Sequence, residues 1–238
     1  MDYSYIGKEN QKNFSEKCEN FYLWIFKEIK PYIRGDILEI GAGLGNFSEI
    51  LVKNYNDNKI ILSDVDKTYL SILSDKFKDN ENIKIEFLDL NSPGEFKEKD
   101  YKIDTCIAIN ILEHIKDDVS AITGIYDILN RNGSLILLLP TYKFLYNIID
   151  KKIEHYRRYT KKEIIQKVEN TGFKIEKIFY FNFVAIFGWI FNGSILKKSI
   201  INKNILSLYN KLIPLFKFID RYLLFRKIGI SLIVILNK

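Results

Sequence analysis

A glycine-rich turn and an acidic residue further along the chain are the residues of this sequence with the most recognisable chemistry. The apolar run 37–40 leads directly into residues 41–45, which alternate glycine with other residues. A second apolar run, 60–63, ends at Asp64, nineteen residues after Gly45. Glycines let the backbone approach a ligand where a Cβ would clash, and an acidic residue at the end of the next parallel strand can accept hydrogen bonds from ribose hydroxyls. The pair predicts a nucleoside-binding site.

The spacing of the glycines separates two kinds of nucleotide site. A dinucleotide site has the pattern G-x-G-x-x-G, whose third glycine lets helix and strand pack closely. Here Asn46 stands at that third position, and the run reads G-x-G-x-G with Glu39 two residues before it. A nicotinamide-dependent oxidoreductase is therefore the disfavoured alternative. The pattern resembles motif I of the class I methyltransferases, which bind S-adenosylmethionine (SAM).

The segments around this turn alternate between apolar runs and stretches of helical periodicity. Five apolar runs predict strands, at 37–40, 60–63, 83–88, 103–109 and 134–139. Such alternation predicts an α/β fold with a parallel sheet and helices on both faces. Ligands bind at the carboxyl ends of the strands in such a sheet. Gly41, Asp64, Asp89 and Asn110 all lie at those ends, so we expect them to meet.

The remaining segments complete this plan. Residues 1–35 predict an N-terminal helical segment, residues 36–140 the SAM-binding core, and residues 141–238 an acceptor-binding part. A sixth strand is predicted at 173–181, and a helical cap at about 184–227 precedes the final strand, 230–236. We therefore expect one Rossmann-like domain over the whole chain, with a mostly parallel sheet of seven strands and a cap inserted before the last one, as in class I methyltransferases.

Charge is distributed unevenly along the 238 residues. Residues 1–140 hold 17 Lys and Arg against 24 Asp and Glu, a net charge of −7, whereas residues 141–238 hold 19 against 6, a net charge of +13. Because a basic surface concentrates anions, an anionic small-molecule acceptor is predicted, with a merely solvated basic face as the alternative. No recognised nucleic-acid module is present, so specific nucleic-acid binding is not expected.

Three further features concern metals, compartment and membranes. Cys18 and Cys106 match no metal or redox spacing, so no metal site is predicted. Two cysteines and a polar N-terminus predict a cytoplasmic protein. The run 178–196 has 19 uncharged residues, long enough for a membrane span, but its asparagines and glycines favour a strand followed by a buried or lid helix. Neighbouring lysines keep peripheral membrane contact by this cap as an alternative.

The resemblance to class I methyltransferases implies SAM as the cofactor and suggests how it is held. Glu39 lies where relatives accept a hydrogen bond from the methionine ammonium, Asp64 where they bind the ribose, and Asp89 where they read the adenine amine. The residues implied in cofactor binding are Glu39, Gly41, Ala42, Gly43, Gly45, Asp64, Val65, Asp89, Leu90 and Asn110.

Longer motifs resemble one bacterial group of class I methyltransferases. They include LEIGAGLGNFS at 38–48, SDVDKTYL at 63–70, INILEHIKDD at 109–118 and HYRRY at 155–159. That group is usually linked to glycosyltransferases and to surface-polysaccharide or small-molecule pathways, and its acceptors are largely unassigned. The resemblance extends over nearly the whole chain and leaves the oligomeric state open.

The chain has two histidines, His114 and His155. His155 lies on the segment that in this fold arches over the acceptor pocket, and a histidine suits proton removal from a hydroxyl. We therefore predict His155 as a catalytic residue, while His114 is assigned a structural role. Arg157 and Arg158 are predicted to bind the substrate, because arginines match phosphate or carboxylate oxygens. Asp150 is predicted to belong to the same substrate-binding set, where it could orient His155.

These features predict SAM-dependent O-methylation of an anionic small molecule, such as a phosphorylated or nucleotide-linked sugar or glycan precursor. Two alternatives remain open at this point. One is N-methylation of a small-molecule amine. The other is a non-catalytic SAM-binding or membrane-peripheral partner of a glycosyltransferase.

Overall fold

A seven-stranded sheet forms the centre of the protein in a computed structural model that describes residues 5–92, 94 and 101–238. The strand order is β3-β2-β1-β4-β5-β7-β6. Strand β7 runs antiparallel to β5 and β6, and the other neighbours are parallel. The strands are β1 (Ile37–Ile40), β2 (Ile60–Asp64), β3 (Ile83–Phe87), β4 (Ile103–Ile109), β5 (Leu129–Pro140), β6 (Lys174–Phe181) and β7 (Ser231–Asn237). The predicted fold is confirmed.

Helices precede and separate these strands. They are α1 (Tyr5–Lys17), α2 (Glu19–Ile29), α3 (Asn46–Asn54), α4 (Lys67–Phe77), α5 (Asp118–Ile128), α6 (Ile148–Lys152), α7 (Lys161–Glu169), α8 (Ala185–Trp189) and α9 (Lys203–Phe218). Helix α8 continues into a π-helical turn at Ile190–Ile195, and α9 continues into another at Ile219–Leu223. Short 3-10 turns occupy Lys30–Tyr32, Leu112–His114 and Lys143–Leu145. The predicted N-terminal helix is thus two helices separated at Cys18.

The central strands are apolar because the middle of the sheet is buried on both faces. Side chains of a strand alternate between the two faces, and here each face meets its own core. Leu38 and Cys106 belong to one core and Ile37 and Ile107 to the other, and all four are fully buried. Continuous apolar runs are typical of such parallel strands. The covered central strands therefore leave their ends as the place for polar side chains, whereas the edge strands β3 and β6 are partly exposed.

Strand β5 begins earlier than the sequence predicts. The sequence predicts a strand from residue 134, but the strand already starts at Leu129 and includes the turn-like dipeptide Asn132-Gly133. The dipeptide lies inside it as an irregularity, with Asn132 at φ 68°. The pairing with β4 shifts register between Ile103 and Thr105 to accommodate the extra residues. A turn dipeptide can be absorbed as a bulge when flanking residues still find partners.

The cap and the N-terminal helices contact each other. The Asn10 side chain donates to the Ser199 carbonyl over 2.8 Å and accepts from the Ile201 amide over 3.1 Å. Further along, Lys203 and Glu16 form an ion pair of 2.8 Å. Helices from opposite ends of the chain therefore pack together above the carboxyl ends of the strands.

The uncharged run 178–196 is not one long helix. It divides into the end of β6, the short helix α8 and the π-helical turn that follows. Among the described residues, no helix has the length and apolar character needed to cross a bilayer.

Candidate cofactor and acceptor site

The glycine-rich turn connects β1 to α3 in a left-handed backbone conformation. Gly41, Gly43 and Gly45 have φ values of 73°, 55° and 77°, a region that glycine adopts without steric cost. A Cβ on Gly41 would also meet the end of the Ile111 side chain, which would have to move. The turn therefore needs glycine at 41 mainly for its conformation.

Asp64 ends β2 and fastens this turn. Its Oδ2 accepts from the Gly43 amide and its Oδ1 from the Asp66 amide, each over 2.9 Å. Burial raises the pKa of Asp64, while these amide hydrogen bonds oppose that shift. Each carboxylate oxygen can accept a second hydrogen bond. Asp64 can thus hold the turn and still bind ligand hydroxyls.

Glu39 is a carboxylate buried on β1, only 4% exposed. Its Oε2 accepts from the Ser48 hydroxyl over 2.6 Å. Burial, with a smaller contribution from the charge of Asp64, raises the pKa of Glu39 to about 8. A buried acid in this state fits a cationic ligand group, because burying a charge is favourable only when it is paired. The ammonium of SAM would provide that pairing.

One continuous cavity of about 550 Å³ runs from Asp64 to His155, within the size range of small-molecule sites. The predicted cofactor residues that line it are Glu39, Gly41, Ala42, Asp64, Val65, Asp89, Leu90 and Asn110. Gly43 and Gly45 do not line it, and they shape the turn beneath. Helices at both ends of the chain close over the cavity.

The turns that follow β3 and β4 supply two of these lining residues, Asp89 and Asn110. Asp89 accepts from the Asn91 amide and from its side-chain Nδ2, each over 2.9 Å. Asn110 adopts a positive φ of 54°, and its amide donates to the Leu138 carbonyl over 2.9 Å. Both side chains are thus placed by local turns at the edge where Asp64 also lies.

His155 lies at the other end of the cavity and is held by Asp150. Its Nδ1 is 2.9 Å from Asp150 Oδ1, and its Nε2 is 3.7 Å from Glu113 Oε1. The ring meets that of His114 edge to face, with centroids 4.7 Å apart. A carboxylate on Nδ1 fixes the orientation of an imidazole and leaves Nε2 for chemistry.

Asp150 connects the segment after β5 into a rigid unit. The Asn147 amide donates to its Oδ2 over 3.0 Å, and Arg158 Nε donates to its Oδ1 over 2.9 Å. Burial alone would raise the pKa of Asp150, but the His155 hydrogen bond and the Arg158 charge outweigh burial and lower it. Asp150 is therefore ionised. Contrary to the prediction, it is not positioned to bind an acceptor, because it does not line the cavity, and it orients His155 instead.

The two predicted substrate-binding arginines have different positions. Arg158 lines the cavity, but its guanidinium also donates to the Thr141 carbonyl and stacks over Trp189 at 4.5 Å. Arg157 lies outside the cavity, 2.9 Å from Asp118 Oδ2, and donates to the Lys116 carbonyl. Contrary to the prediction, Arg157 is not positioned to contact an acceptor, because its guanidinium is paired with Asp118 outside the cavity.

Sequence reasoning missed a cluster beside His155. Donor atoms of Glu113, His114 and His155 all lie within 4.8 Å of one another, close enough to bind one metal ion. Neither Glu113 carboxylate oxygen has a hydrogen-bond partner among the described residues. Burial raises the pKa of Glu113 to about 7 and lowers that of His114 to about 4. Two imidazoles and a carboxylate are a ligand set that zinc accepts.

Comparisons with known proteins agree with this geometry. A family model described as "Methyltransferase domain" matches residues 38–135. The chain is 22% identical over 171 residues to malonyl-[acyl-carrier protein] O-methyltransferase 1 of Ilyobacter polytropus, covering 69% of this chain and 60% of that protein. It is 32% identical over 143 residues to probable polyketide synthase 42 of Dictyostelium discoideum, covering 51% of this chain and 5% of the synthase. The chain thus spans less than two thirds of these relatives.

Solved structures share the fold at low sequence identity. A SAM-dependent methyltransferase from Archaeoglobus fulgidus has a TM-score of 0.60 at 16% identity, covering 92% of this chain and 94% of that one. Phosphoethanolamine N-methyltransferase 2 of Haemonchus contortus, in complex with SAM, has a TM-score of 0.60 at 16% identity, covering 92% and 52%. The chain therefore has the fold of the class I methyltransferases, with a methyltransferase domain sequence over residues 38–135, and SAM is its cofactor.

Proposed function

We propose that this chain transfers a methyl group from SAM to a hydroxyl of an anionic small molecule. The acceptor we propose is a phosphorylated or nucleotide-linked sugar or a related glycan precursor. The observation that carries the proposal is the single cavity, which joins a nucleoside-binding edge at Asp64 to an oriented histidine at His155. A protein that only binds SAM would not need the end of the cavity at His155.

The residues of the first end bind and orient the cofactor. Asp64 receives the ribose hydroxyls, Glu39 pairs with the ammonium, and Asp89 with Leu90 holds the adenine. SAM supplies a methyl group made electrophilic by its sulfonium charge. The protein therefore has to place an acceptor atom in line with that group, and effective molarities explain why placement accounts for much of the rate.

The residues of the second end receive the acceptor. His155 accepts the hydroxyl proton at Nε2, and Asp150 stabilises the resulting imidazolium through Nδ1. Arg158 keeps Asp150 in place and presents part of its guanidinium to the cavity. Oxygen is favoured over nitrogen because this arrangement provides a base, which a hydroxyl needs more than an amine does. The relative from Ilyobacter polytropus, named as an O-methyltransferase, supports the same choice.

Two observations support an anionic acceptor. Residues 141–238 carry a net charge of +13, and Arg158, one of their cations, lines the cavity beside His155. A role beside glycosyltransferases in polysaccharide pathways follows from the resemblance to the bacterial group. N-methylation of an amine remains the second candidate.

We expect a phosphorylated sugar to be methylated with a kcat/KM at least about tenfold above that of the same sugar without phosphate, because charge-assisted hydrogen bonds are the stronger ones. The measurement is transfer of labelled methyl from SAM across a panel of sugar phosphates and nucleotide sugars. The unphosphorylated sugar is the matched control. Equal turnover of both forms would remove the anionic part of the proposal.

Binding of SAM should release a proton from Glu39 in slightly acidic buffer. Glu39 is protonated there in the free protein, since its pKa is about 8. An ammonium beside it favours the ionised form, so SAM affinity rises with pH in this range. Calorimetry in two buffers of different ionisation enthalpy measures the proton count. The Glu39→Gln variant should release none, and an unchanged count in that variant would contradict the assignment.

A further inference from the structure

Exposed apolar side chains are concentrated on the cap. Of the seventeen large apolar side chains exposed in the described part of the chain, thirteen lie between residues 187 and 228. Contiguous apolar surface is rare on monomeric proteins, and where it occurs it marks an interaction site. The cap therefore has an exposed apolar surface that no other described part of the protein covers.

Helix α9 and its π-helical extension carry most of this surface. One side of α9 packs into the protein through Leu206, Ile213 and Phe216. The opposite side is exposed at three- and four-residue spacing. We call these exposed side chains the cap surface; they are Ile205, Leu208, Leu212, Leu215, Phe218 and Tyr222. The helix is apolar on two faces, and the protein buries only one.

The charges around the cap surface are almost all positive. Residues 184–230 hold eight Lys and Arg and one acidic residue, Asp220. Asp220 is 3% exposed and accepts hydrogen bonds from the Asn182 and Phe183 amides. Of the eight cations, ion pairs within the described chain involve Lys203 and Arg226. The other six, including Lys211 within the exposed stripe, form no ion pair with the described residues, and the cap has no exposed acidic side chain of its own to balance them.

We infer that the cap surface docks on an anionic lipid bilayer. A helix with an exposed apolar stripe and lysines beside it lies in the membrane interface, where the apolar side chains enter the acyl region and the cations meet lipid phosphates. Each basic residue near an anionic leaflet adds attraction. A bilayer accepts an apolar, cationic face without needing shape complementarity, whereas a protein partner would have to match both features.

The cap surface also reaches the cavity. Ile205 is 44% exposed and lines the cavity, and the buried face of α9 contributes Leu206 and Tyr209 to the same lining. Docking would therefore bring the part of the cavity that α9 lines close to the lipid headgroups. This step rests on the proposed function: its acceptor would be a phosphorylated glycan precursor carried by a lipid.

Vesicle sedimentation with the full chain tests the docking directly. We expect the protein to pellet with vesicles of phosphatidylcholine and phosphatidylglycerol and to stay in solution with phosphatidylcholine alone. Rising salt should weaken the binding. The double variant Leu212→Glu and Leu215→Glu should reduce the bound fraction at least about tenfold, because acidic side chains replace part of the apolar stripe.

Ile72→Glu is the matched control. Ile72 is exposed at 37% on α4 and lies outside the cap, so its variant should pellet like the unaltered protein. SAM affinity of all three proteins is measured in parallel, because neither Leu212 nor Leu215 lines the cavity. Vesicle binding by a protein that transfers no methyl group would support the docking and contradict the proposed function.

Two results would overturn the inference. One is equal pelleting of the cap double variant and the unaltered protein. The other is a dimer of the unaltered protein that the double variant makes monomeric, without binding to either vesicle, which would assign the cap surface to self-association.

Discussion

Replacing Asp64 by alanine is expected to weaken SAM binding by about 30- to 1,000-fold. This corresponds to roughly 2–4 kcal/mol, the cost of leaving ribose hydroxyls without their buried acceptor. Calorimetry with SAM and with its demethylated product measures the loss. Both ligands should be affected alike, because the ribose is common to them.

Controls for this variant have to separate binding from folding. Asp64 also accepts from the Gly43 amide, so part of the loss could come from a loosened turn. Thermal unfolding of the variant without ligand reports that part. Asp75→Ala, an exposed carboxylate on α4, is the matched control and should bind SAM normally. Undiminished SAM binding by a folded Asp64→Ala protein would contradict the cofactor site.

Replacing His155 by alanine is expected to lower turnover by roughly 10²–10⁴ while SAM affinity changes less than about twofold. The separation arises because Nε2 acts on the acceptor, whereas the cofactor residues lie at the other end of the cavity. Steady-state rates with the best acceptor of the screen, together with calorimetry, measure both quantities.

His155→Asn is the sharper variant for this purpose. The asparagine amide occupies the position of Nδ1 and can donate to Asp150, but it cannot accept a proton from the acceptor, so order of the segment is preserved while basicity is removed. We expect turnover to fall nearly as far as in the alanine variant. A His155→Asn protein with normal turnover would show that the histidine only orders the segment.

The cluster of Glu113, His114 and His155 makes one further comparison necessary. If Nε2 is the base, incubation with EDTA should leave the rate unchanged. Activity lost on chelation and restored by Zn²⁺ would assign His155 as a metal ligand, because a bound metal lowers the pKa of a coordinated hydroxyl without a protein base.

The sequence by itself determined the sheet and the edge at which Gly41, Asp64, Asp89 and Asn110 meet. An apolar run that predicts a strand is a local property of the sequence. In a parallel sheet the carboxyl ends of all strands lie at one edge. The positions of Gly41, Asp64, Asp89 and Asn110 at strand ends were therefore enough to predict that they meet. The antiparallel last strand and the intervening cap followed from the class I resemblance.

Tertiary structure alone decided the acceptor end. Asp150, His155, Arg157 and Arg158 lie on an irregular segment, where spacing says nothing about the direction of a side chain. Two buried carboxylates set those directions: Asp150 holds His155 and Arg158, and Asp118 holds Arg157 away from the cavity. Burying a carboxylate requires cationic or hydrogen-bonding partners, and which cations lie within reach depends on packing between distant parts of the chain. Closure of the cavity by helices from both ends of the chain has the same origin.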